Sequence, residues 1–192
     1  MVTKLAVEAT HPKREVETSL GNLYADAFAN VSESDVVLLG SGSVRKSQLG
    51  PVVTLKDFIS SFPYDDTLIK FYVTGDKIKK MFSHFMRAEN RNGEGECYQV
   101  NSKVRAVYNN KNAALESLKI SGLPVEDTKI YTVCIQGYHH VNCEQYLNIT
   151  NEELQKEKCS KVVTTSAQDV LEEYLRNNQN LRPVIEDRLV YK

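Results

Sequence analysis

No stretch of this chain approaches the roughly 20 consecutive apolar residues that a membrane-spanning helix needs; the longest apolar runs are only a few residues, such as Val36-Val37-Leu38-Leu39. Met1-Val2-Thr3-Lys4 leads into no apolar segment of signal-peptide type. Charge of one sign is also missing: the formal net charge is -1, so no overall field draws the chain to nucleic acid or anionic lipid. Cysteine is sparse. Cys97, Cys134, Cys143 and Cys159 fall in no C-x-x-C spacing, which removes the common zinc and redox patterns. Buried free thiols are expected, with a Cys143–Cys159 link as the alternative. Phosphate-binding signatures are absent too: there is no P-loop and no G-x-G-x-x-G. Gly40-Ser41-Gly42-Ser43 does not fit the G-x-S-x-G nucleophile elbow. No internal repeat occurs.

What remains is an ordinary globular composition, 41% hydrophobic and 26% charged over 192 residues, enough for one domain with a sizeable core. Its most informative feature is the turn Leu39-Gly40-Ser41-Gly42-Ser43-Val44-Arg45, which follows the apolar run Val36–Leu39. Two glycines suit a sharp turn and close approach to a ligand. Arg45 adds a planar, permanently charged fork suited to phosphate or carboxylate.

The periodicity predicts helices over Glu15–Asn30, Leu55–Ser61, Lys77–Glu89 and Ala167–Arg176, and strands over Val36–Leu39, Thr67–Val73, Tyr98–Val100, Val104–Tyr108, Ser117–Ile120, Ile130–Ile135, Val162–Thr164 and Leu189–Tyr191. Thr54 is a natural N-cap, Asp57 suits the first turn that follows, and Pro63 stops that helix. Gly21 sits inside the first helix at a cost of about 1 kcal/mol, which predicts close packing against another backbone. Polar Asn90–Glu96 and Gly137–Cys143 read as loops, and Asn148–Ser160 as polar cover or a lid with helical character.

Two loop aromatics, Tyr64 and Tyr138, stand after a predicted helix and a predicted strand. They either sandwich a flat ring or cap the core edge with wet hydroxyls. His139-His140-x-x-Cys143 contains metal-ligand residue types, but a structural zinc site needs four good ligands. Solvated loop histidines are the alternative. No nucleophile–base pair stands out.

Taken in order, several segments resemble the 5′-nucleotidase C-terminal domain family. Arg14-Glu15-Val16-Glu17-Thr18-Ser19-Leu20-Gly21-Asn22-Leu23-Tyr24-Ala25-Asp26-Ala27 is similar to its R-x-x-E-x-x-L-G-N-L-x-A-D-A opening. The glycine turn with Arg45 resembles N-G-G-G-I-R. Phe62-Pro63-Tyr64 resembles L-P-F, and Val73–Lys79 resembles L-x-G-x-x-L-K. Tyr98-Gln99-Val100, Ile130–Val133 and Arg188-Leu189 resemble the Q-V-S-G, Y-x-V and G-R-I segments.

The resemblance implies an α+β fold of four layers, α/β/β/α, forming the substrate-binding domain of 5′-nucleotidase, UDP-sugar hydrolase and 2′,3′-cyclic-nucleotide phosphodiesterase proteins. By position, Arg14 and Arg45 would hold phosphate or neighbouring nucleotide oxygens, Tyr64 and Tyr138 would stack on the base, and Glu144 would take the ribose hydroxyls. The ligand implied is a nucleotide or nucleoside. The partner implied is a metallophosphoesterase domain, in the same or a separate chain, that carries divalent metals at a dimetal site. None of that domain's D-x-H, G-N-H-[DE] or G-H-x-H motifs occurs here, so no cofactor and no hydrolysis are expected of this chain alone. A secreted, periplasmic or cell-surface location is also implied. The chain departs from the family pattern in three places, one of them the turn, where Ser41 and Ser43 replace its first and third glycines while Gly42 is kept. Gly40 stands where the family has an asparagine, and Asn142-Cys143-Glu144-Gln145 stands where it has G-G-D-G. A diverged binding module that has lost nucleotides is the alternative reading.

Overall fold

The computed structural model describes residues 1–192, apart from the side chain of Glu94. Two short strands, Thr3–Lys4 (β1) and Ala9–Thr10 (β2), precede helix α1, Ser19–Ser32. The helix starts later than its apolar period suggests. Thr18 is extended and its hydroxyl accepts the Gly21 N–H, so it is the N-cap. Glu17, just ahead, is buried and turned to the carboxy-terminal segment, accepting from the backbone N–H groups of Glu186 and Arg188. Gly21 does mark close packing, but its neighbour is a side chain, not a backbone. A Cβ there would overlap Gln99 Cγ.

Strand β3, Val36–Gly40, is buried at every position. The glycine turn that follows winds as a single 3-10 turn, Ser41–Ser43. Short strands β4 (Gln48–Leu49) and β5 (Val52–Val53) lead to α2, Leu55–Ser61, which keeps its predicted bounds. Thr54 and Asp57 form a reciprocal capping box there. Strand β6 (Leu68–Thr74) runs into α3 (Gly75–Phe85), which buries Ile78, Met81, Phe82 and Phe85. Then come β7 (Tyr98–Val100), β8 (Val104–Asn109), β9 (Ala114–Ile120), β10 (Leu123–Pro124) and β11 (Ile130–Gln136).

The segment expected as a loop after β11 is instead two short helices, α4 (Gly137–Val141) and α5 (Cys143–Leu147). A third, α6 (Asn151–Gln155), is closed by a capping box of Thr150 and Glu153. Strand β12 (Lys161–Thr164), helix α7 (Ala167–Asn177) with Ser166 as its cap, and β13 (Leu189–Tyr191) complete the chain. All four cysteines are free, so the Cys143–Cys159 link is not formed; Cys159 is exposed and the other three are buried.

Five strands form the main sheet in the order β12-β6-β11-β3-β7, and four form a second sheet, β10-β9-β8-β13. Within the main sheet only β3 and β11 run parallel, with Val36 opposite Val133; every other neighbouring pair is antiparallel. Alternation along the strands splits the core in two. Val37, Leu39 and Cys134 face α1 and α7, with Leu20, Tyr24, Phe28 and Leu171. Val36, Leu38, Tyr131, Val133 and Ile135 face the other way, toward α3 and the second sheet, with Phe82, Val104 and Leu118. Each such fully buried side chain contributes about 1.5–3 kcal/mol. The α+β class is as expected.

Candidate functional site

One edge of the main sheet gathers the loops that matter. Parallel β3 and β11 both end there, at Gly40 and Gln136, while antiparallel β6 and β7 begin there, after Asp66 and Glu96. Ligands of α/β sheets commonly sit beyond the carboxyl ends of parallel strands. Here that edge opens into a cavity of about 950 Å³, whose walls include Arg14, Arg45, Tyr64, Asp66, Glu96 and Tyr138.

The glycine turn is built from the sheet outward. Ser41 N–H donates to Cys97 O at 2.8 Å, and Arg45 N–H to Ser61 O at 2.8 Å. The Gln136 amide spans the turn, accepting from Gly40 N–H at 3.1 Å and donating to Ser43 Oγ at 3.0 Å. Gln99 ties the same turn to the start of α1. Its amide donates to Ser41 Oγ at 2.7 Å and Val16 O at 2.8 Å, and accepts from Thr18 N–H at 2.9 Å. Neither Gly40 nor Gly42 has positive φ, so the turn needs these glycines for space rather than for backbone freedom. A Cβ on Gly40 would overlap His139 Nε2, and one on Gly42 would lie 3.3 Å from Glu96 Oε1.

Arg45 reaches back over Tyr64. Its Nη2 and Nε donate to the phenolic oxygen at 2.7 and 3.2 Å, and its Cζ lies 5.2 Å from the ring centroid. Neither Arg45 nor Arg14 has a carboxylate partner within ion-pair distance among the described residues. The nearby acid is Glu96, which accepts Gly42 N–H at 3.2 Å. Burial raises its pKa above the ordinary carboxylate value, against the pull of that hydrogen bond and of both arginines.

Tyr138 lies in the first turn of α4 and also lines the cavity. Asp66 fixes that turn by accepting Tyr138 N–H at 2.8 Å through one oxygen and Thr67 N–H at 2.7 Å through the other. A carboxylate at a helix start is favourable on electrostatic grounds. The Tyr138 hydroxyl lies 3.0 Å from that of Tyr146, a bond that helps push the Tyr146 pKa up to about 12. Either hydroxyl can donate in that pair. Tyr64 and Tyr138 are 49% and 57% exposed, so the cavity lining includes two accessible aromatic rings.

Four of the five residues singled out in the sequence therefore meet: Arg14, Arg45, Tyr64 and Tyr138. Glu144 does not join them. It is exposed in the first turn of α5 and is not among the cavity-lining residues. Sequence reasoning missed Asp66, Glu96, Gln136 and Asn142, which do line the cavity. The only signal for Asp66, Glu96 and Gln136 was their place next to strand ends, and Asn142, between α4 and α5, carried none. The two histidines diverge. His139 is buried beside Tyr98, whereas His140 packs near Phe71, with its Nε2 3.4 Å from Ser160 Oγ. Among the described residues no group of three or more His, Cys, Asp or Glu side chains is arranged to hold a metal ion, so these residues do not fit the dimetal centre that the resemblance implies for a partner domain.

Two sheets with flanking helices, and an arginine- and tyrosine-lined cavity at one edge of the mixed sheet, define the class: an α+β domain with one candidate site. The sequence profile described as 5′-nucleotidase, C-terminal domain matches residues 2–151, and the chain belongs to that family. Solved structures agree in fold through the carboxy-terminal segment as well. The 5′-nucleotidase precursor of Thermus thermophilus superposes with a TM-score of 0.79 at 16% identity, covering 99% of this chain and 39% of that one. The NAD nucleotidase NadN of Haemophilus influenzae gives 0.80 at 14% identity, covering 100% and 38%. The sulfate thiohydrolase SoxB of Thermus thermophilus, in complex with glycerol, gives 0.70 at 16% identity, covering 99% and 34%. This chain thus spans well under half the length of those proteins. No curated protein sequence matches it. Among the described residues no helix is long and apolar enough to cross a membrane.

Proposed function

We propose that this chain is the nucleotide- or nucleoside-recognition domain of a 5′-nucleotidase-type phosphohydrolase. A planar base lies between Tyr64 and Tyr138, and Arg45 and Arg14 take phosphate or ribose oxygens. The observation that carries this reading is the cavity itself, lined by two accessible tyrosine rings and two arginines free of carboxylate partners among the described residues. Bond making and breaking at phosphorus would belong to a metallophosphoesterase domain, in the same polypeptide or a separate one, which would hold the divalent metals. Delivery beyond the cytoplasm, to the periplasm or cell surface, goes with that assignment. Glu144 takes part only if α5 turns toward the cavity when a ligand is bound.

Stacking contributes roughly 1–3 kcal/mol per base. Calorimetric titration with adenosine and AMP therefore tests the clamp. Tyr64→Ala and Tyr138→Ala should each weaken binding by at least about fivefold. Unchanged affinity in both variants would sink it.

A second reading is a diverged binding module that keeps the cavity for another anionic or planar ligand. Glu144 outside the cavity lining and the side-chain-free Gly40 favour it. If nucleosides, nucleotides and nucleotide-sugars all fail to bind, this second reading stands; binding of any one of them removes it.

A further inference from the structure

His139 is a polar cavity residue that the clamp described above leaves without a role. It is 3% exposed, and its Nδ1 lies 3.1 Å from the Tyr98 hydroxyl. Tyr98 is itself buried, which holds its pKa well above the ordinary phenol value, so it keeps its proton. Among the described residues, Nδ1 is the one hydrogen-bond partner of that hydroxyl. Tyr98 therefore donates and Nδ1 accepts. Burial also holds the imidazole pKa down at about 4, so the ring is neutral at neutral pH. A neutral ring that accepts at Nδ1 carries its hydrogen on Nε2.

Nε2–H has no hydrogen-bond partner among the described residues. The fully enclosed polar atoms left unpaired lie elsewhere, at His11, Asn22, Ser32, Ser34 and Arg91. Nε2 is not among these enclosed atoms; it lies over Gly40, in a residue that lines the cavity. Gly40 makes room for it, because any Cβ at that position would overlap the imidazole. The backbone of Gly40 has an ordinary φ of -57°, so glycine serves there as clearance for the ring.

We propose that His139 is a specificity-determining residue: its Nε2–H, in a ring fixed by Tyr98, donates to an sp² acceptor on the planar ring held between Tyr64 and Tyr138. The proposal rests on the nucleotide-recognition reading and adds which ring edge that site accepts. A ring nitrogen or carbonyl oxygen facing Nε2 completes the hydrogen bond. An N–H or amino group in the same place sets two donors against each other and leaves the Nε2–H without an acceptor.

The test uses AMP as probe, with calorimetry and nitrogen-15 NMR of the histidine ring. In the free protein, NMR should find Nε2 protonated and Nδ1 unprotonated, and AMP should shift the Nε2–H signal. His139→Phe keeps a ring but removes the donor and should weaken AMP binding about tenfold. Tyr98→Phe keeps the volume and releases Nδ1, which should weaken binding severalfold and let the proton exchange between the two nitrogens. Gly40→Asn alone should destabilise the fold. Combined with His139→Ala it should fold, and it should recover binding relative to His139→Ala by returning an amide donor to the same space.

A folded His139→Phe that binds AMP as wild type does, while Tyr138→Ala loses it, overturns this role and leaves the clamp intact. A proton found on Nδ1 in the free protein overturns it as well. If His139→Phe fails to fold, Tyr98→Phe and the NMR signal decide. Failure of the wild type to bind AMP overturns the nucleotide-recognition reading itself, and this proposal with it.

Discussion

A carboxylate among unpaired arginines determines how much negative charge a ligand can bring. Glu96 faces the cavity that Arg14 and Arg45 also line, and burial already disfavours its ionised form. A phosphate entering beside it meets both attraction and repulsion. Glu96→Gln removes the repulsion while keeping an acceptor for Gly42 N–H. AMP affinity should then rise about fivefold, on the scale of roughly 1 kcal/mol for a like charge at partly screened distance, while adenosine affinity stays unchanged. Calorimetry on both ligands checks the split. His139 carries a second residue-scale consequence, for stability. Its folded pKa is about 4, whereas an unfolded chain protonates histidine near the ordinary value of about 6.5. Between those values the unfolded state binds the extra proton, so stability is full above about pH 6.5 and falls as the pH drops through the window. The loss amounts to about 3 kcal/mol if the shift is complete. His11, His84 and His140 are lowered too and act in the same direction. Urea midpoints at pH 7 and pH 4.5 should differ accordingly, and His139→Phe should narrow the difference.

Helix α1 shows how an element is tuned by a residue far from it in sequence. Gly21 costs the helix about 1 kcal/mol in propensity, yet Ala cannot replace it freely, because its Cβ would overlap Gln99 Cγ. The displaced amide holds Val16, Thr18 and Ser41 together. Gly21→Ala should therefore destabilise, by about 1–2 kcal/mol net of the propensity gain. A shift of the urea midpoint toward higher stability would contradict this. The same contrast explains how much is legible in the sequence. Helix α2 is legible to its ends, because Thr54, Asp57 and Pro63 act within a few residues of the helix they bound. Helix α4 reads as a loop, because its start is fixed by Asp66, a residue on the far side of β6 in sequence. The Arg14, Arg45, Tyr64 and Tyr138 grouping is legible through resemblance, and the cavity brings them together. Glu96, Gln136 and His139 acquire their places only through strand pairing and packing, which no local pattern encodes. Glu144 follows the motif by position but stands outside the cavity lining, since the preceding residues wind into helices that carry it elsewhere.

On the scale of the whole molecule, the carboxy-terminal segment is locked in place by Arg188. Its guanidinium is buried and pairs with both oxygens of Asp26 at 2.9 and 2.7 Å, and it donates to Val100 O at 2.8 Å. It thus joins α1, β7 and the approach to β13. Removing one partner of a buried pair leaves the other uncompensated, typically at about 3–5 kcal/mol. Asp26 retains some exposure, so Arg188→Ala should cost about 3 kcal/mol and lower the melting temperature by several degrees, with one transition still seen by calorimetry. Separate melting of the carboxy-terminal segment would show instead that Arg188 does not couple it to the core.

Each wall of the cavity is borne by a different connection. Arg14 precedes α1, Arg45 follows β3, Tyr64 follows α2, Glu96 precedes β7 and Tyr138 follows β11. The strands beneath tolerate little, because a slip of one residue turns every side chain to the opposite face. The connections are under no such rule. Ligand preference in this architecture can therefore drift at the connections while both cores stay untouched, with Arg45 and Tyr64, which share hydrogen bonds, changing as a pair.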